Sequence, residues 1–265
     1  MGKYAVVVVG PAGSGKSTLC KALSEQYSLH GRSTHILNMD PAAEELAYEP
    51  SLDVKDLISL EDVMETKMLG PNGGLVFCME YLVTEGKRWL VQQLGDYAED
   101  FIIVDMPGQV EVLSSHPAVP AFVNLLQREG YFCTVLYLQD ALSTTADGGK
   151  FISGCLFSLS SMVYFDCPFI NILTKCDLLS EEFKNEALEH FCMCDFEHMD
   201  ISRLPPRWRR MTSQIGSIVQ DYNLVTFRPM DVTNETYLEN LCNTIDDTLQ
   251  VADEAEVEEH EFENL

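Results

Sequence analysis

Residues 4–18 read YAVVVVGPAGSGKST, and the fold turns on them. Tyr4–Val9 is a nearly unbroken apolar run of strand length, as expected for a parallel strand covered on both faces. Gly10-Pro11-Ala12-Gly13-Ser14-Gly15-Lys16-Ser17 then matches G-x-x-x-x-G-K-[ST] in full, between a strand and a helical pattern, the context this phosphate loop requires. Glycines let backbone N–H groups curl around phosphate oxygens, and the helix start adds positive potential. The amides of Gly13, Ser14, Gly15, Lys16, Ser17 and Thr18 would hold phosphates. The Lys16 ammonium would reach the β- and γ-phosphates, and the Ser17 hydroxyl would serve Mg²⁺. A glycine-rich loop that merely turns the chain is the bland alternative, and the strand-to-helix context speaks against it.

Outward from the loop, apolar runs at Tyr4–Val9, His35–Met39, Phe101–Asp105, Phe132–Leu138, Phe169–Thr174 and Leu224–Phe227 read as strands. Helical patterns follow at Gly15–Leu29, Pro117–Arg128, Lys150–Val163, Pro206–Tyr222 and Glu235–Val251. This alternation predicts an α/β fold of the P-loop NTPase type: a mostly parallel open sheet flanked by helices on both faces. Residues 1–250 form one domain in this reading, with helical insertions at about 42–98 and 180–204. The first insertion carries helical patterns at Leu52–Met64 and Gly74–Leu94, joined by the turn-rich MLGPNGGLVF of Met68–Phe77. Residues 251–265, VADEAEVEEHEFENL, read as an acidic, disordered tail.

The 265-residue chain holds 17 Lys plus Arg against 42 Asp plus Glu, a formal charge of −25. So acidic a surface repels phosphate backbones, which argues against direct nucleic-acid binding. No apolar run is long enough to cross a bilayer, and the N-terminus has no signal-peptide pattern, so no membrane association is expected. The nine Cys are scattered, several in apolar segments, and read as reduced thiols of a cytoplasmic or nuclear protein.

Three further motifs sit at strand ends. Asp105 closes Phe101–Asp105, where a carboxylate holds the metal, usually through water. Asp105-Met106-Pro107-Gly108-Gln109 fits D-x-x-G-Q: the Gly108 amide would bond the γ-phosphate and Gln109 would orient water, with Glu111 two residues on able to hold the same water. Thr174-Lys175-Cys176-Asp177 follows the strand at Phe169. One carboxylate accepts from the adjacent N1–H and N2–H₂ of guanine, a pair of donors adenine lacks, so Asp177 favours GTP. Lys175 would lay its methylene stem over the base, with backbone support from residues 228–231. Asp40, in Asn38-Met39-Asp40-Pro41, would serve Mg²⁺ or the attacking water; the bland reading is a cap for a following helix with Pro41 at its first position.

No Arg neighbours a switch motif, so this site is short of transition-state donors. Gly70-Pro71-Asn72, together with G-P-A-G-S-G-K-S, N-M-D-P-A-A-E, D-M-P-G-Q-V-E and T-K-C-D in order, resembles the GPN-loop GTPases from Tyr4 to about Gln250. The stretches at residues 3–20 and 148–162 look most like the third eukaryotic paralogue. The resemblance implies a homodimer, or a heterodimer with a related GPN-loop GTPase, in which Asn72 acts in the partner's pocket. It also implies a role in assembly and nuclear import of RNA polymerase II, with shuttling between cytoplasm and nucleus. Two rivals stand beside GTP hydrolysis: a nucleotide-latched assembly chaperone with negligible turnover, and a P-loop small-molecule kinase, against which D-x-x-G-Q speaks. The second insertion departs from the family pattern. Its His190, Cys192, Cys194 and His198 offer zinc ligands at a spacing no standard finger uses. Arg203, Arg207, Arg209 and Arg210 around Trp208 form the basic cluster, read as an exposed helix start.

Overall fold

Side chains of β1 (Lys3–Val9) alternate between two cores: Ala5, Val7 and Val9 enter one, Tyr4, Val6 and Val8 the other. The computed structural model describes residues 2–97, 100–109, 116–196, 199, 201–202, 204–222 and 225–251. Within them, β1 pairs with β4 (Phe101–Asp105) on one side and β5 (Tyr131–Asp140) on the other. Outside β4 lie β2 (Thr34–Asn38) and β3 (Leu52–Asp53); outside β5 lie β6 (Phe169–Thr174) and β7 (Phe227–Pro229). The seven-stranded order is β3-β2-β4-β1-β5-β6-β7, every pairing parallel.

Helices α1 (Lys16–Leu29) and α11 (Glu235–Leu249) cover one face, through Leu19, Leu23, Leu241 and Ile245. The other face receives α3 (Pro71–Val83), α4 (Lys87–Leu94), α5 (Ala118–Arg128), α7 (Gly148–Met162) and α10 (Pro206–Tyr222). Shorter helices complete the chain: α2 (Leu60–Lys67), α6 (Ala141–Thr144), α8 (Glu181–Glu186) and α9 (Leu188–Cys192). Burying strands on both faces is what their unbroken apolar composition demands. Among the described residues no helix is long and apolar enough to cross a membrane.

Three local expectations are corrected. Leu52 opens a two-residue strand rather than a helix, because Leu52 and Asp53 pair with Leu37 and Asn38 and the Asn38 amide donates to Asp53 at 2.9 Å. The helix begins only after the Ser59 cap. The pattern over Gly74–Leu94 is split at Thr84–Gly86, where a Cβ on Gly86 would meet Leu57 at 2.6 Å. The last strand is Phe227–Pro229 rather than Leu224–Phe227: Val225 is buried in the core, and Leu224 lies outside the described residues. The tail from residue 252 also lies outside them.

Candidate nucleotide site

In open parallel sheets the crevice beyond the carboxyl ends of the strands is the ligand site. Here the exits of β1, β2, β4 and β6 bring the Gly10–Ser17 loop, Asp40, Asp105 and Lys175 to one edge. The loop adopts its own hydrogen bond, Ser14 N–H to Pro11 carbonyl at 3.2 Å, and runs through left-handed Gly13 (φ 74) and Gly15 (φ 92), conformations costly for other residues. Gly15 is the N-cap of α1 with no side-chain cap, so the first-turn amides are left for an anion. The Ser14 hydroxyl is buried without a partner among the described residues.

Lys16 is nearly buried and donates to the Pro11 carbonyl at 3.3 Å. Burial lowers its pKa, while the charges of Asp105 and Asp40 work in the opposite direction. Ser17 donates to Asp105 Oδ2 at 2.6 Å, joining two of the three expected metal ligands across 88 residues of sequence. Burial raises the Asp105 pKa; bonds from Ser17 and Tyr48 and the Lys16 charge oppose this, and Asp40 adds to it. Asp105 Oδ1 is buried with no hydrogen-bond partner among the described residues. Gly108 passes so close to the loop that a Cβ on it would lie 2.8 Å from Lys16 Nζ and 2.9 Å from Ala12 Cα. Gln109 and Thr18 are exposed beside this cluster; Glu111 lies outside the described residues.

Asp40 Oδ1 accepts from Ala42 N–H at 2.9 Å and so caps a turn, but no helix follows, which corrects that half of its reading. Pro41 carbonyl instead accepts from Leu60 N–H at 3.2 Å, anchoring the start of α2 beside the site.

The motif Thr174–Asp177, expected to read the base, is tied directly to the phosphate loop. Thr174 is buried, and its hydroxyl donates to the Ser14 carbonyl at 2.7 Å. Lys175 adopts φ 59 and donates to Asp140 Oδ2 at 2.9 Å, while Asp177 is exposed on the short turn Cys176–Leu178. Cys176 N–H bonds the Met230 carbonyl at 3.1 Å, which brings the 228–231 loop alongside. Asp140 and Tyr48 escaped sequence reasoning. Asp140 had one legible signal, its place at the end of an apolar strand; Tyr48 belongs to no motif.

The GPN turn is built differently from its composition. Met68 takes the left-handed position (φ 55), whereas Gly70 is the N-cap of α3 at φ −73, with Pro71 at the first helical position. Pro is preorganised there, so Asn72, Gly73 and Gly74 start a helix instead of finishing a turn. Gly74 serves packing: a Cβ would sit 2.8 Å from Leu60 on α2. Asn72 is exposed, and α2 carries the turn about 12 Å along its axis from Leu60.

A family model described as a conserved hypothetical ATP binding protein matches residues 8–251. GPN-loop GTPase 3 of Dictyostelium discoideum is 41% identical over 268 residues, covering 100% of this chain and 93% of its own. The chain belongs to the GPN-loop GTPase family. GPN-loop GTPase 3 of Saccharomyces cerevisiae is 36% identical, covering 98% of this chain and 97% of its own. The crystal structure of a GTPase in apo form from Pyrococcus abyssi superposes with a TM-score of 0.73 at 27% identity, over 92% of this chain and 97% of that one. This GPN-loop GTPase thus shares its architecture with a solved relative.

In the second insertion, His190 bonds Asp195 at 3.0 Å, while Cys192 and Cys194 are buried and Cys194 Sγ lies 3.8 Å from Cys155 Sγ. His198 lies outside the described residues, and among those described no group of three or more His, Cys, Asp or Glu gathers for a metal. The basic cluster opens α10, with Arg207 stacked 5.3 Å from the Trp208 ring; Arg203 lies outside the described residues.

Proposed function

We propose that this chain binds GTP and hydrolyses it with Mg²⁺, as a dimeric switch. The observation that carries the reading is convergence: Thr174 bonds the phosphate loop at Ser14, and three residues on Ser17 bonds Asp105. Base reader, phosphate cradle and metal carboxylate are therefore one connected unit.

The residues present suit a hard divalent cation. Asp105 offers a buried, unpartnered carboxylate oxygen, with a Ser17 hydroxyl and the Asp40 carboxylate nearby, all oxygen donors. Ser17 and Asp105, with Asp40 nearby, would hold Mg²⁺, which would supply charge neutralisation at the phosphates. Lys16 and the amides of Gly13 to Thr18 bind and orient the phosphates, and Gly108 supplies an amide beside them. Gln109, with Glu111, positions the attacking water. Lys175, held by Asp140, covers one face of the base, and Asp177 accepts from guanine. The matching family model is described by ATP and the relatives by GTP; the paired donors that one carboxylate can read favour guanine.

The exposed Asn72, next to Met68 at 88% exposure, supports a turn that enters a second copy or a related chain rather than its own pocket. An amide there donates and accepts near the γ-phosphate. The assembly and nuclear-import role for RNA polymerase II, and movement between cytoplasm and nucleus, rest on the family resemblance. The test is turnover of GTP and ATP with and without Mg²⁺, for wild type and Asp177→Asn. The variant is expected to lose its preference for GTP by at least tenfold, the equivalent of about 1.4 kcal/mol. An unchanged preference would remove the base-reader assignment. Turnover unaffected by Gln109→Leu and Asn72→Ala would favour the latch.

A further inference from the structure

Asp105 is held by two hydroxyls on the same oxygen. Oδ2 accepts from Ser17 at 2.6 Å and from the Tyr48 hydroxyl at 2.9 Å, which leaves Oδ1 as the free atom. Ser17 is itself a candidate metal donor: its hydroxyl can offer a lone pair to a cation while donating to Oδ2. Tyr48 has no such second duty. Its ring packs on the core beneath α1 and α11, and its loop is tied down at several points. Ala42 N–H bonds Asp40, Ser51 N–H bonds the Ile36 carbonyl at 2.8 Å, and Lys55 bonds the Ala43 carbonyl. The phenol is thus delivered to Asp105 by a restrained segment lacking regular helix or strand.

We propose that Tyr48 is a positioning residue for the metal carboxylate: its hydroxyl fixes the Asp105 side chain so that Oδ1 stays presented to the cation or its water. The inference rests on the Mg²⁺–nucleotide reading and deepens it. Tyr48 also gives the loop after Asp40 a direct line to Asp105, so displacement of that loop removes one of the two bonds that hold the carboxylate.

The test uses the full chain loaded with a fluorescent GDP, whose dissociation is followed as Mg²⁺ is titrated, with an EDTA baseline. Tyr48→Phe keeps the ring and removes only the hydroxyl. One hydrogen bond to a buried charged group corresponds to about a tenfold effect, so the Mg²⁺ midpoint for nucleotide retention is expected to rise about five- to tenfold. Dissociation in EDTA should match wild type. Tyr48→Ala should move the midpoint at least as far. If the ring acted only by packing, Tyr48→Phe would follow the wild-type curve, and that result, or a lowered midpoint, overturns the inference. A wild-type chain whose nucleotide retention ignores Mg²⁺ would overturn the metal reading and this inference together. Wild-type Mg²⁺ dependence with an unmoved Tyr48→Phe curve overturns the inference alone.

Discussion

Replacing Gly108 with Ala probes how tightly the segment after β4 must approach the phosphate loop. The added Cβ would lie 2.8 Å from Lys16 Nζ, 2.9 Å from Ala12 Cα and 3.1 Å from Ala12 N. Non-bonded carbons rest at about 3.5–4.0 Å, so separations must open by roughly half an ångström or more. Lys16 can swing its terminus aside, but the Ala12 backbone belongs to a loop fixed by its own Ser14–Pro11 bond and by Thr174. Overpacking of this kind costs about 1–3 kcal/mol. At about 2–4 °C per kcal/mol for a domain of this size, melting of the nucleotide-free chain should fall by about 2–12 °C. GTP affinity should fall at least tenfold, because relief of the clash displaces Lys16 or Ala12; about 1.4 kcal/mol suffices. Scanning calorimetry and titration calorimetry read the two effects. Gly95→Ala is the control: φ is −59°, nothing lies within 4 Å, and the substitution should be neutral or stabilising by about 0.4–1 kcal/mol. A Gly108→Ala chain with wild-type melting and wild-type GTP affinity would refute the close approach.

Thr174→Val keeps the side-chain shape and deletes the hydroxyl that serves the Ser14 and Gln139 carbonyls, at 2.7 and 3.2 Å. Urea unfolding should report a loss of about 1–3 kcal/mol, and Thr174→Ser should recover most of it. The thiols of Cys133, Cys192 and Cys242 are pushed up to about 12 by burial. Their folded pKa values exceed the unfolded value of about 8.5, so their contribution to stability is complete below that pH and is lost as pH climbs toward 12. The urea midpoint should decline above about pH 9, and alkylation at pH 8 should reach these thiols only in denaturant; rapid labelling of all three in the native chain would contradict their burial.

What the sequence could express was whatever is local. Strand ends carry Asp105 and Thr174–Asp177, and the glycine pattern carries the phosphate loop, because each depends on residues a few positions apart. The fold followed from apolar runs that must be buried on two faces. The errors share one cause. Leu52 joined the sheet because Leu37 stood open beside it, and Gly70-Pro71-Asn72 began a helix because Gly74 lets α3 settle onto Leu60. Tyr48 meets Asp105 across 57 positions and Lys175 meets Asp140 across 35. No periodicity within one window reports such pairs.

The charges gathered at the strand ends also bear on how nucleotide and metal binding are coupled. Lys16 is a buried cation facing two carboxylates, Asp105 and Asp40, in a chain of formal charge −25. A bare triphosphate entering that crevice meets the helix N-terminus and one ammonium, but also both acids and the field of the whole surface. On the proposed reading, Asp105 Oδ1, which has no hydrogen-bond partner among the described residues, would be available to a divalent cation whose charge would screen phosphate from Asp40. Nucleotide and metal should therefore bind with mutual reinforcement. On the proposed reading, the acids that oppose a bare phosphate would also make the site favour the metal-bound nucleotide over the free one.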